Sequence, residues 1–241
     1  GSRSAVMGGG ALGLATERLI AKAKAIAANL LEASPDDVIH TDGGFAVAGV
    51  PERSIDWNLV AAAAYGKGIP AGMDPGLNET AFFDPKREAW GFGAHVALVR
   101  IDSETGELTL EKLVLVDDIG VVLNPMIVEG QVHGGLAQGL GEALCEHMLF
   151  DEDGQPRTGT LMDYAVPRAS TMPTLILGET ETPNPFNPLG VKGVGEAGTN
   201  GAPPAVANAV MDALSPLGID HIDMPYTAPK LWRVIREAQK Q

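Results

Sequence analysis

Five glycines fall within one predicted helix, and no other feature of this 241-residue chain limits its possible folds as strongly. Asn124 and Pro125 mark the helix start, because Asn is a favoured N-cap and Pro suits the first helical position. The segment that follows, MIVEGQVHGGLAQGLGEAL, contains Gly130, Gly134, Gly135, Gly139 and Gly141. An interior glycine costs about 1 kcal/mol relative to alanine, so the five together cost about 5 kcal/mol. Since a domain's net stability is only about 5 to 15 kcal/mol, something must need close approach to this helix.

Two explanations of these glycines are open. Small residues let a second helix pack at short distance, which is a purely structural reason. Alternatively, Gln131 and Gln138 lie on one helix face with bare backbone between them, where amides can hydrogen-bond the edge of a heteroaromatic ring such as a pterin. Asp118, at the end of the preceding strand, could face the same ligand, although a solvated strand end also fits its position.

A second unusual segment is GVKGVGEAGTNGAPP at residues 190–204, where Glu196 is the one acidic residue among glycines. A carboxylate in surroundings so poor in side chains can be approached closely by a large ligand, which favours a chemical role. A structural explanation fits the same spacing, because an acidic residue just before a helix stabilises the positive end of that helix.

The opening residues, GSRSAVMGGGAL, place hydroxyls, Arg3 and three consecutive glycines at the start of the first predicted helix. Exposed backbone N–H groups, the helix dipole and an arginine make a site for a phosphate or pyrophosphate. The same residues have plain explanations, since an N-terminal glycine-serine pair can be a cloning remnant and glycine runs often form loops.

Hydrophobic periodicity predicts an α+β fold with mixed sheets and packed helices, organised as one compact unit over residues 1–241. Helices are expected at Ala11–Glu32 and Ile55–Ala64, after Asn124, at Gly201 with Pro203-Pro204, and after Thr227. In the first helix, Leu12, Leu19 and Ile26 are expected on one buried face. The strands are expected as a hairpin over Ala94–Val116 and a further segment at Thr174–Leu177, with a loop at Gly66–Gly76.

Composition excludes several classes of partner. The formal net charge of -14 argues against nucleic acid, which is bound through clustered Lys and Arg. The single cysteine, Cys145, excludes an internal disulfide and an iron-sulfur cluster held by four cysteines of this chain. With no apolar run approaching about 18 residues and no charged and apolar leader, we expect a soluble, cytoplasmic protein without a membrane span.

The familiar hydrolase and metal motifs are missing from the sequence. No HExxH, CxxC, GxSxG or Walker pattern occurs. Four neighbouring residues match no metal-ligand spacing and read as an amphipathic helix end: Glu142, Cys145, Glu146 and His147. The remaining histidines are scattered and are interpreted as structural or solvent-facing: His40, His95, His133 and His221. No metal ligand is therefore expected from the protein.

Taken together, several long motifs in one order resemble a known family. They are GSRS with GGGAL at residues 1–12, VDDIGVVLNPMIVEGQVHGGLAQG at 116–139, MDYAVP at 162–167, KGVGEAGTNGAPPAVANAV at 192–210 and HIDMPYTAPKLW at 221–232. The chain resembles the C-terminal half of the molybdenum-binding subunit of the xanthine dehydrogenase and aldehyde oxidase family, in particular its carbon monoxide dehydrogenase-like branch. The resemblance spans nearly the whole chain.

The resemblance implies that Glu196 takes the place of the family's catalytic base, which removes the proton from a hydroxyl on molybdenum. That role needs a carboxylate in a desolvated site, where its proton affinity rises toward neutrality. The resemblance also implies a set of cofactor-binding residues: Ser2, Arg3, Ser4, Asp118, Gln131, Lys192 and Gly193. In this family the pterin's dithiolene sulfurs hold the molybdenum, so protein ligands are not required.

The function implied is oxidative hydroxylation of an aldehyde, an N-heterocycle, a purine or carbon monoxide, with molybdopterin, in its cytosine dinucleotide form, as the cofactor. The expected partners are the N-terminal half of the molybdenum subunit, an iron-sulfur subunit with 2Fe-2S clusters and an FAD subunit, in a dimer of heteromers. Two alternatives stay open: a non-catalytic assembly or scaffold fragment that holds no cofactor, and a phosphate-binding module that uses only the GSRS and GGG start.

Overall fold

The computed structural model describes residues 2–240. Their contacts cluster in two compact units, one formed by Gly1–Val6 with Lys86–Gln241 and the other by Met7–Pro85. The sequence analysis predicted one compact unit, whereas the contacts in the structure form two. The division falls inside the first helix, α1 (Ser4–Leu30), so no break in the helical pattern marks it in the sequence.

The unit Met7–Pro85 contains most of α1, a small antiparallel sheet and a short helix, α2 (Trp57–Ala63). The sheet has the order β1 (Val38–Thr41), β2 (Gly44–Val47) and β3 (Val50–Asp56). These strands were missed by the sequence prediction because two of them have only four residues, too few to establish a period. The predicted second helix is confirmed, and its N-cap is Asp56, whose carboxylate accepts a hydrogen bond of 2.9 Å from the Leu59 amide.

The start predicted for α1 at Ala11 was wrong, because the helix begins at Ser4 and includes all three consecutive glycines. One of them has a packing reason: a Cβ at Gly10 would lie 2.5 Å from Phe83 Cδ1. The predicted buried face is only partly confirmed. Ile26 is 1% exposed and belongs to the core of this unit, whereas Leu12 is 69% exposed.

The larger unit is built on a mixed three-stranded sheet with the order β4-β5-β6. The predicted hairpin is confirmed as β4 (Phe92–Ile101) and β5 (Leu108–Asp118), and the predicted third strand lies within β6 (Thr174–Thr180), parallel to β5. Three helices accompany the sheet: α3 (Pro125–Leu144), α4 (Ala197–Leu214) and α5 (Ala228–Ala238). The expected α+β class is confirmed.

Side chains alternate across this sheet, so that one face is buried and the other is exposed. The inner face, which includes the fully buried Leu113, packs into one core with α3, α4 and α5. The outer face carries exposed apolar side chains: Phe92, Val96, Leu98, Val116 and Ile176. The sheet is therefore apolar on both sides, as strands covered on both faces are.

The start of α3 follows its sequence signal, whereas the start of α4 does not. Asn124 Oδ1 accepts a hydrogen bond of 3.2 Å from the Ile127 amide, which confirms the predicted cap. Helix α4 begins at Ala197, one turn before the predicted start at Gly201, and Pro203 and Pro204 lie inside it. Tertiary packing of residues 197–200 against α3 accounts for the extra turn.

The crossing of α3 and α4 explains some of the glycines but not all. A Cβ at Gly135 would lie 3.0 Å from the Thr199 amide nitrogen, and a Cβ at Gly198 would lie 2.5 Å from the Val132 carbonyl oxygen. These glycines serve helix packing. Apart from the neighbouring backbone of α3 itself, a Cβ added at Gly130 or at Gly134 would meet no atom of residues 2–240 within 4 Å. Packing among these residues therefore gives no reason for Gly130 and Gly134.

We predict opposite effects of alanine at the two kinds of glycine. Gly198→Ala must displace the α3 backbone and should destabilise the chain by about 1 to 3 kcal/mol, as overpacking does. Gly134→Ala, the matched control, meets no neighbour and should stabilise the helix by up to about 1 kcal/mol. Urea unfolding of both variants measures these changes, and equal effects on the unfolding midpoint would contradict a packing role for Gly198.

None of the helices among residues 2–240 combines the length and apolar character that a bilayer crossing requires.

Candidate functional site

A cavity of about 410 Å³ opens where the beginning of β4, the end of β5 and the beginning of α4 meet. Its wall includes residues from two glycine-containing segments: Trp90–Gly93, and Gly193, Glu196 and Ala197. The polar and acidic residues that line it are Ser2, His95, Asp117, Asp118, Glu196, Asn200 and Asn208. Four of the residues predicted to be functional therefore line one cavity: Ser2, Asp118, Gly193 and Glu196.

Glu196 lies at the N-cap position of α4, on the cavity wall. Its carbonyl oxygen accepts a hydrogen bond of 3.1 Å from the Asn200 amide, but its carboxylate does not cap the helix. Ser2 Oγ donates a hydrogen bond of 3.2 Å to Glu196 Oε2. The residue is exposed, so the desolvated setting predicted for it is not provided by this chain itself.

The glycines beside Glu196 allow Ser2 to lie against the loop. A Cβ at Gly193 would come within 2.5 Å of the Ser2 carbonyl oxygen, and a Cβ at Gly195 would come within 2.9 Å of Ser2 Oγ. The same Cβ position at Gly195 is 3.7 Å from Gln131 Oε1. Residues that are far apart in the sequence thus converge on one loop: Ser2, Gln131 and Glu196.

Gln131 lies on the exposed side of α3, next to the unobstructed backbone of Gly130 and Gly134. Without side chains at these glycines, a flat ring can approach the helix while the amide of Gln131 donates to its edge and accepts from it. The arrangement fits the heteroaromatic ring of a pterin. The donor set and the open cradle are therefore compatible with a molybdopterin cofactor.

Asp118 and Lys192 form a buried ion pair below this surface. Lys192 Nζ lies 2.7 Å from Asp118 Oδ1, and the two side chains are 7% and 1% exposed. The alternative of a solvated strand end for Asp118 was wrong. Thr180 and Thr182 donate hydrogen bonds to Asp118 Oδ2 at 3.2 and 2.6 Å. The carboxylate is thus surrounded by donors.

The charge state of Asp118 follows from these contacts. Burial favours the neutral carboxyl, but the hydrogen bonds from Lys192, Thr182 and the Gly120 amide outweigh it and hold the pKa of Asp118 well below its ordinary value. Lys192 also lies 4.6 Å from the ring centre of Phe92. Since its ammonium group is turned to Asp118, only Gly193 of the predicted Lys192-Gly193 pair lines the cavity.

The predicted anion site has a different local structure from the one expected. Ser4 is the first residue of α1, so the helix start lies ahead of the glycines. Arg3 forms an ion pair of 3.3 Å with Glu88, and both side chains are more than half exposed. An exposed pair of this kind is worth only about 0 to 1 kcal/mol, so a phosphate could replace the Glu88 carboxylate at little cost.

The cavity also contains a pair that sequence reasoning missed. His95 Nε2 and Asp117 Oδ1 are 3.2 Å apart, and their side chains are 6% and 10% exposed. His95, interpreted as structural or solvent-facing, is thus buried and lines the cavity. The available signal was the hairpin register, which pairs Gly93 with Asp117 and leaves room for that carboxylate to reach across β4.

Comparison with known families identifies one match, a molybdopterin cofactor-binding domain, over residues 1–173. Two curated relatives match almost the whole chain. The large chain of carbon monoxide dehydrogenase from Hydrogenophaga pseudoflava is 38% identical over 98% of this chain. The large subunit of nicotine 6-hydroxylase from Paenarthrobacter nicotinovorans is 40% identical over 98% of it.

The same likeness appears among solved structures. Quinoline 2-oxidoreductase from Pseudomonas putida 86 matches with a TM-score of 0.87 and 40% identity, covering 98% of this chain and 30% of that one. The chain spans 29% of the length of the two curated relatives. Both the sequence resemblance and the expected fold type are confirmed. The chain therefore belongs to the molybdopterin cofactor-binding domain family of the carbon monoxide dehydrogenase and xanthine dehydrogenase type.

Proposed function

We propose that this chain binds molybdopterin, in its cytosine dinucleotide form, and supplies Glu196 as the base of an oxidative hydroxylation. The observation that supports this most directly is the convergence of Ser2, Gln131 and Glu196 on the glycine loop before α4. When bound, the molybdenum cofactor supplies the metal and the redox chemistry.

The role proposed for Glu196 is to hold and move a proton at its carboxylate. Ser2 Oγ orients Oε2 by its hydrogen bond, and the Glu196 carbonyl oxygen accepts a hydrogen bond from the Asn200 amide in the first turn of α4. The exposed position of Glu196 becomes desolvated only when a cofactor and a partner polypeptide cover the cavity. Covering raises the proton affinity of a carboxylate, which suits a general base.

The remaining cofactor contacts are distributed over the same surface. Gln131 would hydrogen-bond the pterin beside Gly134, and the backbone of Gly193 would line the site. The phosphate-bearing arm would lie at the N-terminus of α1, where the Ser2 and Ser4 hydroxyls and the helix N–H groups favour an anion. Arg3 would exchange Glu88 for that phosphate. The ion pair of Asp118 and Lys192 would stabilise the end of β5 and the loop that leads to Glu196.

Substrate and partners follow from the relatives only as proposals. Those relatives are named for carbon monoxide, nicotine and quinoline, so the substrate class stays an aldehyde, N-heterocycle, purine or carbon monoxide. We propose that the rest of a molybdenum subunit covers the cavity and the exposed outer sheet face, and that an iron-sulfur subunit and an FAD subunit complete a dimer of heteromers in the cytoplasm.

The test is the molybdenum and pterin content of the complex isolated from its native cells through a tag on this chain. We expect about one molybdenum per chain, and we expect Gln131→Ala to weaken cofactor retention roughly tenfold, as loss of about 1.4 kcal/mol of hydrogen bonding would. Gln155→Ala, in an exposed turn, is the matched control.

Other outcomes separate the alternatives. A complex that contains neither metal nor pterin, and assembles equally well with Glu196→Gln, would support the scaffold function instead. Binding of inorganic phosphate that depends on Arg3 and is indifferent to Glu196 would support the phosphate module. Neither alternative makes use of the contacts that bring Ser2, Gln131 and Glu196 together at one loop.

A further inference from the structure

The buried pair of His95 and Asp117 has no part in the function proposed above, although it shares the cavity with Glu196. Two glycines make room for it. A Cβ at Gly93 would collide with Asp117 Oδ1, and a Cβ at Gly201 would collide with His95 Nδ1. These four residues form a continuous contact from β4 and β5 to α4, which we call the His95 stack.

The His95 stack ends on the early part of α4, the helix that has Glu196 at its N-cap. The other side of the same helix start is held by α3, where Thr199 Oγ1 donates a hydrogen bond of 3.1 Å to the Gly135 carbonyl oxygen. Helix ends fray more easily than helix interiors. Contacts on both sides of the first turns therefore determine where the N-cap residue lies.

The chemistry of the pair suits a fixed support. Because a carboxylate oxygen accepts hydrogen bonds, His95 Nε2 is the nitrogen that donates to Asp117 Oδ1. Nδ1 is buried, lies against Gly201 and has no hydrogen-bond partner among the described residues. A buried polar atom without a partner is costly and calls for an explanation beyond stability.

We propose that His95 and Asp117 are a positioning pair, which sets the start of α4 and thereby the place of the Glu196 carboxylate. Neither residue acts on a substrate or cofactor in this proposal. The inference rests on the proposed function in one respect, since it assumes that the position of Glu196 matters for turnover.

Hydrogen–deuterium exchange of the 241-residue chain tests the positioning directly. The reporter is the Asn200 amide, which is bonded to the Glu196 carbonyl oxygen at 3.1 Å. We expect His95→Phe, which keeps ring volume but loses the donor, to speed exchange of this amide roughly tenfold by increasing local opening. His95→Gln should restore slow exchange, because its amide nitrogen can donate to Asp117 as Nε2 does.

The matched control is His221→Phe, in an exposed pair with Asp223, which should leave the exchange rate of the Asn200 amide unchanged.

A second measurement uses the cofactor-loaded complex. His95→Phe should lower kcat roughly tenfold at constant KM, a loss of about 1.4 kcal/mol of transition-state stabilisation, and His95→Gln should recover the rate. If Glu196→Gln keeps full activity, the assignment of the base fails, while the exchange experiment still decides whether the pair positions α4.

Three results would overturn the proposal: unchanged Asn200 exchange in His95→Phe, equally fast exchange in His95→Gln, or acceleration spread evenly over α3 and α5. If His95→Phe does not fold, Gly201→Ala takes its place, because the added Cβ displaces the imidazole. Faster Asn200 exchange in that variant supports the positioning, and unchanged exchange contradicts it.

Discussion

Replacing Glu196 by glutamine should reduce turnover of the cofactor-loaded complex by roughly 100- to 10,000-fold, the usual contribution of a general base. Glutamine has nearly the same shape and still accepts the hydrogen bond from Ser2 Oγ, but it cannot take up a proton. The cofactor should therefore remain bound while the rate falls. Steady-state kinetics, together with molybdenum and pterin content, separate loss of chemistry from loss of cofactor.

The control for this substitution is Glu104→Gln, in the exposed turn between β4 and β5. It changes the charge by the same amount and should leave kcat unaltered. An active Glu196→Gln complex would exclude Glu196 as the base. A variant that is inactive because it has lost its cofactor would assign Glu196 to binding instead.

The second large effect is expected at the buried ion pair. Asp118→Asn leaves the Lys192 ammonium 7% exposed and opposite a neutral amide, and breaking one half of a buried pair costs about 3 to 5 kcal/mol. Urea unfolding should show a loss of this size. The double variant Asp118→Asn with Lys192→Met removes both charges and should be more stable than Asp118→Asn alone.

Acid should reduce the difference in unfolding free energy between the native chain and the Asp118→Asn variant. Because the folded-state pKa of Asp118 lies below its ordinary value of 3.8, the stabilisation is complete above that pH and is lost as the pH falls toward the folded-state pKa. Unfolding free energies measured between pH 7 and strongly acidic pH should therefore converge. A difference that stays constant to the lowest accessible pH would contradict a depressed pKa.

Local signals in the sequence were enough for several elements of the fold. The Asn124-Pro125 cap fixes the start of α3, and strict alternation identifies β4 and β5. Where long-range packing decides, local signals failed. The first turn of α4 exists because Gly198 fits against α3, and no pattern within residues 197–204 announces that contact.

In the candidate site, too, the sequence indicated individual residues but not the long-range contacts between them. Ser2 and Glu196 are 194 residues apart, and Asp118 and Lys192 are 74 apart, so neither pair could be predicted from spacing. The family resemblance singled out these residues without indicating their contacts, and their roles stay predictions. The role of His95 could not be predicted, because it depends on contacts with strand and helix residues that are distant in the sequence.

At Gly130 and Gly134, thermal stability and the proposed ligand binding favour different residues. Selection for heat resistance alone would favour alanine at both positions, since no neighbouring element in the described part of the chain opposes the added methyl group. The same mutants would present methyl groups where we propose that a flat ring lies. A library of variants ranked only by melting temperature would thus favour stable proteins that no longer bind the cofactor. When this surface is engineered, cofactor content has to be measured together with stability.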